Sequence, residues 1–176
     1  FDGEPADWFS VNHGGDLSGI DDRFDYLKGS LKDKDMSNAA NYSELAEYLD
    51  LEGFIDYLLL HWYCATSDWP QNNWYGGNRN PSSPLGAAPH RFFAWDGEWS
   101  WDLPHGSINN PAPYDPWVHP DFRSGEGTNQ GNSKPIANIF NSVKESDEFL
   151  RLLADRAYEH FFNDGAMSEP VILGRW

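Results

Sequence analysis

Cysteine is almost missing from this chain. Cys64 is the only one, which excludes an internal disulfide and a zinc site built on cysteines. It falls in an apolar, helix-like run, where a buried structural thiol is expected. Cations are scarce as well: 12 Lys and Arg stand against 28 Asp and Glu, for a net charge of −16. So acidic a surface repels phosphate backbones and anionic lipid headgroups, so neither nucleic acid nor a membrane is an expected partner. The charge fits cation binding or plain solubility. No run of 18 apolar residues occurs, so no membrane span is expected. No signal peptide is read, and the chain begins with Phe1 rather than Met, so a fragment or processed product is expected.

Several motifs are missing too. There is no G-x-G-x-x-G and no G-x-x-x-x-G-K-[ST] to hold a nucleotide. His13, His61, His90, His105, His119 and His160 show neither H-x3-H nor H-E-x-x-H spacing. His61 and His160 lie in helical runs and read as structural. His105 and His119 sit in a long loop from which they can approach a site. No internal repeat is visible, and no linker divides the chain.

What is present is enough for a core. Of 176 residues, 39% are hydrophobic and 16% aromatic. We therefore read residues 1–176 as one domain, burying roughly 70% of its unfolded-chain surface.

The clearest element is DLEGFIDYLLLHWYCA, residues 50–65. Leu51, Phe54, Ile55, Leu58, Leu59 and Trp62 share one helical face, and Asp50 is a natural N-cap. Pro70 places the end of this helix before residue 69. Upstream, NYSELAEYLD (41–50) opens with a capping-box pattern, Asn41 followed by Glu44, and predicts a short helix. Residues 1–36 are rich in Gly and Asp, with weak helical signals over 21–34 and loops before that. Asp16, Asp21, Asp22 and Asp25 do not have EF-hand spacing and read as solvated loop carboxylates. NWYGG (73–77) and HRFFAWD (90–96) read as two strands of a long-looped hairpin. Residues 97–133 read as loop. Two helices follow. Ile136, Ile139, Phe140 and Val143 face the core in one; Phe149, Leu152, Leu153 and Phe161 do so in the other, with Ser146 as N-cap and Gly165 as terminator.

Two acidic clusters could carry chemistry. One is Asp68 with Asn72 and Asn73 in SDWPQNNWY; the other is Asp96, Glu98 and Asp102 in AWDGEWSWD. A hairpin would bring the two together at one end of the sheet. Phosphoryl transfer asks for such groups: metal ligands to neutralise phosphate oxygens and a carboxylate to orient the attacking hydroxyl. Protein kinases use an Asp with an Asn five positions on, then a second Asp at the end of a strand pair. Asp68 and Asn73 have the first spacing, and Asp96 follows 23 residues after Asn73. Taken alone, Asp68-x4-Asn73 equally reads as a helix end followed by an Asx turn.

The run LEGFIDYLLLHWYCATSDWPQNNWY…HRFFAWDGEWSWD resembles the spore-coat protein H (CotH) kinase-like family, and so does the tail IANIFNSVKESDEFLRLLADRAYEHFFNDGAM. The resemblance covers about residues 41–168. It implies an α+β fold, mostly helical: the C-terminal lobe of an atypical protein kinase, with a small hairpin carrying the site. It implies that Asp68 is the catalytic-loop base, that Asn73 and Asp96 are metal ligands, and that Glu98 stands where the family has a second Asp. It implies Mg²⁺ or Mn²⁺, ATP as donor and a protein as acceptor, and it leans towards an extracytoplasmic or secreted location. Two departures stand out. Ala94 replaces the family's usual proline before Trp95. None of Lys28, Lys32, Lys34, Lys134 and Lys144 lies in a strand followed by a helix Glu, so the nucleotide-holding half is expected upstream of Phe1 or absent.

Two other readings compete. Asp96, Glu98 and Asp102 could act as a glycosidase pair, although residues 96 and 98 on one strand end share a face only about 7 Å apart. Trp95, Trp99 and Trp101 alternate, so an extended chain presents them together as a sugar-binding platform without catalysis; core packing is their other reading. An inactive kinase-like scaffold belongs with this third class.

Overall fold

The computed structural model describes residues 3–19, 21–66, 69–70, 72–97, 100, 135–162 and 164–175. Residues 101–133 of the long loop, with His105 and His119, and Trp99, Trp101, Asp68, Glu98 and Asp102 lie outside the described residues.

The architecture is α+β. In chain order the elements are β1 (Trp8–Asn12), β2 (Gly15–Asp16), α1 (Asp22–Tyr26), α2 (Ala39–Tyr48), α3 (Leu51–Cys64), β3 (Trp74–Arg79), β4 (Arg91–Ala94), α4 (Pro135–Val143), α5 (Asp147–Phe161) and α6 (Glu169–Leu173). The strands form one antiparallel sheet ordered β2-β1-β3-β4. No described helix is long and apolar enough to cross a membrane.

The 3.6-residue period decides what α3 buries. Phe54, Ile55 and Leu58 are wholly buried, and Leu51 and Trp62 pack against the same core. Asp50 caps the helix: its Oδ1 accepts the Gly53 N–H at 3.1 Å. In α4, Ile136, Ile139, Phe140 and Val143 are all buried. The Phe140 ring meets Trp62 at 5.2 Å and Phe149 of α5 at 6.4 Å, between centroids. Ser146 caps α5 through the Phe149 N–H. Asp56 of α3 ties the two long helices together. It accepts from the Arg156 guanidinium through both oxygens and meets His160 Nε2 at 2.8 Å. His160 is therefore structural, as its helical setting suggested.

The sheet puts one face on this helical layer. Phe92 of β4 meets Phe54 and Tyr57, both at 5.6 Å, and Trp74 of β3 meets Phe24 of α1 at 6.0 Å. Strand alternation then turns Tyr75, Gly77 and Phe93 to the opposite face. There, with Trp8, Phe9 and Ser10 of β1, they line an open groove of about 450 Å³.

Four local expectations change. Residues 8–12 and 15–16 are strands, not loop, because β3 offers β1 a partner along its whole length, from Trp8↔Arg79 to Asn12↔Tyr75. The α2 cap is Asn38, whose Oδ1 accepts the Ala40 N–H at 2.9 Å. Asn41 sits inside α2 and donates to the Asp35 carbonyl, while Glu44 binds Lys34 and the Tyr26 hydroxyl. Asp21 is buried rather than solvated, as the N-cap of α1 and the partner of Asn78 in β3. Gly165 does not terminate α5 by a left-handed turn, since Asp164 has the positive φ. Gly165 is small because a Cβ there would meet the Glu159 carbonyl oxygen at 2.0 Å.

Candidate active site

The loop bearing Asp68 leaves α3 through a sharp reversal. Ala65 is left-handed (φ 49°), and its N–H reaches back to the His61 and Trp62 carbonyls. Thr66 follows, buried, with its N–H on the His61 carbonyl at 3.2 Å. Trp69 is wholly buried. Its ring stacks on His61 at 4.5 Å and 7° between planes, and its Nε1–H donates to the Tyr57 hydroxyl at 2.6 Å. An indole N–H buried without an acceptor would be costly, so this bond fixes the ring as well as the packing does. Asp68 thus lies in sequence between two anchored residues.

The hairpin brings together the two candidate residues that the structure describes. Trp74 pairs with Ala94, so Asn73 before one strand and Asp96 beyond the other fall at the same end. They touch: Asn73 Nδ2 donates to the Asp96 carbonyl oxygen at 3.1 Å. Both are left-handed, at φ 53° and 55°. Asn and Asp are the non-glycine residues that tolerate this region best, yet it still costs energy. Two such residues bonded to each other are the kind of backbone strain that collects at working sites. Asn73 is buried, whereas Asn72 and the Asp96 residue are exposed. Of the Asn73 amide, the oxygen is the atom with lone pairs to offer a cation. Amide and carboxylate oxygens are hard donors of the kind Mg²⁺ and Mn²⁺ prefer. Among the described residues no group of three or more His, Cys, Asp or Glu is placed to hold a metal.

The described lysines are engaged locally. Lys28 pairs with Asp25 at 2.6 Å, Lys32 with Asp33, and Lys34 with Glu44 at 2.5 Å. Lys144 donates to Asn141 Oδ1 at 2.6 Å. None of these four lies in a strand, in line with the sequence reading.

Sequence reasoning missed the supporting residues. Thr66 and Trp69 carry no local signal for a role, and His61 reads only as a core histidine. The groove floor was also missed, although its alternation, Tyr75 and Gly77 on one strand and Phe93 on the other, was present in the sequence. Trp95, exposed over 61% of its surface, extends this aromatic row; its ring lies 6.3 Å from Tyr75. Cys64 is half-buried, and burial pushes its thiol pKa up.

A model of the CotH kinase protein family matches residues 5–171. No curated protein and no solved structure matches the chain.

Proposed function

The chain belongs to the CotH kinase protein family, and from that premise we propose that it transfers the γ-phosphoryl group of ATP to a protein side chain, with Mg²⁺ or Mn²⁺ present. The observation that carries this reading is the bonded pair of left-handed residues, Asn73 and Asp96, at the hairpin end. Phosphoryl transfer leaves the protein little covalent work; positioning and charge do the rest. Asp68 accepts the proton of the acceptor hydroxyl as its oxygen bonds to phosphorus, and the bond from the γ-phosphorus to the bridging oxygen breaks to release ADP. Asn73 and Asp96 would hold the divalent ion, with Glu98 as the candidate for a second position; Glu reaches further than Asp. When bound, the ion neutralises charge on the phosphate oxygens.

The groove supports a nucleotide in particular. Its floor residues Tyr75 and Phe93 belong to β3 and β4, the strands that Asn73 precedes and Asp96 follows. The exposed Trp95 ring favours one second reading, a sugar-stacking platform without catalysis.

Calorimetric titration of Mn²⁺–ATP into the protein, with Asp96→Ala alongside, tests the proposal. Binding that disappears in Asp96→Ala is expected. Unchanged binding in the variant would refute the metal assignment. Silence in both proteins calls for the same titration on the whole gene product, where restored binding would point to a nucleotide-holding segment outside this chain. Glycan binding that ATP does not displace would favour the sugar platform.

A further inference from the structure

Behind the hairpin end, three buried side chains from separate segments form a hydrogen-bond chain. His61 Nδ1 lies 3.1 Å from Thr66 Oγ1, and Thr66 Oγ1 lies 3.2 Å from Ser100 Oγ. Ser100 Oγ donates to the Gly97 carbonyl at 2.6 Å. His61, Thr66 and Ser100 are exposed by only 3%, 2% and 7%. Donor counting fixes the direction of the whole chain. The Gly97 carbonyl can only accept, so the single Ser100 hydroxyl hydrogen is spent there. Ser100 must then accept from Thr66, and Thr66 must accept from His61. His61 is therefore the Nδ1–H tautomer. Burial pushes its pKa down to about 4, so the ring stays neutral. Its Nε2 is left with a lone pair and no hydrogen-bond partner, enclosed by the stacked Trp69 ring and by the Tyr57 ring at 4.6 Å.

We propose that His61, Thr66 and Ser100 are positioning residues for the phosphoryl-transfer site, a one-way hydrogen-bond chain that keeps the loop around Asp68 in register with the loop around Asp96. The proposal rests on the phosphoryl-transfer reading above. Thr66 and Trp69 bracket Asp68 in sequence, and both are held by His61. Gly97 follows Asp96. Asn73 grips the Asp96 carbonyl while Ser100 grips the next one, so two consecutive peptide groups are held from two directions. A residue that acts this way need not touch substrate. Displacing reacting groups by about 1 Å is enough to lose a large part of their effect. Apolar side chains would fill the same space without the cost of burying hydroxyls and a bare ring nitrogen. The wiring therefore calls for a purpose beyond packing.

Thr66→Val keeps the side-chain shape and deletes the hydroxyl; Thr66→Ser keeps the hydroxyl. Both, with Ser100→Ala and Asp96→Ala, are made in the whole gene product. Mn²⁺–ATP affinity is measured by calorimetry, and the ring nitrogens of His61 are followed by nitrogen-15 NMR. The wild type is expected to show a protonated Nδ1 and a bare Nε2. Thr66→Val and Ser100→Ala are expected to lower Mn²⁺–ATP affinity by about tenfold, the scale of one lost buried hydrogen bond. Thr66→Ser should restore both the affinity and the tautomer signal. The proposal is overturned if a folded Thr66→Val loses the tautomer signal yet binds as the wild type does, while Asp96→Ala does not bind. Normal binding by Asp96→Ala would instead bring down the metal reading, and the positioning role with it. Should Thr66→Val fail to fold, Ser100→Ala, at the far end of the chain, decides by the same criteria.

Discussion

Asn73 has two structural tasks, and a pair of substitutions separates them. Its backbone is left-handed at φ 53°, and its side-chain amide donates to the Asp96 carbonyl at 3.1 Å. Asn73→Ala removes that bond, worth about 1 kcal/mol net. It also leaves a residue with a Cβ and no compensating amide in the left-handed region, at a cost of about 1 kcal/mol. Together these come to about 2 kcal/mol. In a domain of this size each kcal/mol moves Tm by about 2–4 °C, so Asn73→Ala should melt about 4–8 °C lower. Asn73→Gly loses the same bond but has no Cβ to strain, so its fall should be about half as large. Circular dichroism melts measure both. Calorimetry with Mn²⁺–ATP then reads the proposed ligand role, and both variants should lose binding. Equal melting points for the two variants would refute the backbone argument. Wild-type affinity in either would refute the ligand role, whatever the melts show.

Two carboxyls, the buried Asp21 and the half-buried Asp56, should respond to pH with opposite signs. Burial raises the Asp21 pKa, against hydrogen bonds from the Phe24 N–H and Asn78 that lower it. A raised folded-state pKa gives stability at low pH that is lost as pH rises through it. Asn keeps the capping acceptor, so Asp21→Asn should equal or exceed the wild type in urea denaturation at pH 7 and lose that advantage near pH 3. A variant weaker by more than about 1 kcal/mol at pH 7 would count against this account of Asp21. At Asp56 burial also raises the pKa, but hydrogen bonds from Arg156 and His160 outweigh it and the net shift is downward. That stability is present above the ordinary value of 3.8 and is lost as pH falls through the lower folded value. Asp56→Asn should cost about 1 kcal/mol at pH 7, a figure kept small by solvent screening. The gap should close below pH 3.8; a gap independent of pH would remove the charge from the explanation.

The helices were legible because their information is local. The apolar period of α3 and the caps Asp50 and Ser146 lie within a few residues of what they control, and each is found in place. Asn41 shows where local reading fails. Its capping-box pattern is good, but Asn38 three residues earlier also offers an acceptor, and Lys34 and Tyr26 draw Glu44 away from the box. β1 failed for a different reason. Trp8–Asn12 is short, and its strand character comes from β3, which is 62 residues away where Asn12 meets Tyr75 counting neither residue. The match of the family model back to residue 5, well before the resemblance at 41–168, takes in this strand.

By itself the sequence determined which residue types were available and how they were spaced: the acids and amides of the two clusters, the core period, the shortage of cations and the single cysteine. Those properties follow from neighbours along the chain. Only the tertiary structure decided that Asn73 would hold the Asp96 carbonyl, that both would be left-handed, and that His61, Thr66 and Ser100 would be wired in one direction. The Asn73–Asp96 and Thr66–Ser100 bonds join segments 23 and 34 residues apart. A hydrogen bond between such segments exists only after burial has removed water as the competing partner and the strand register has fixed which atoms meet.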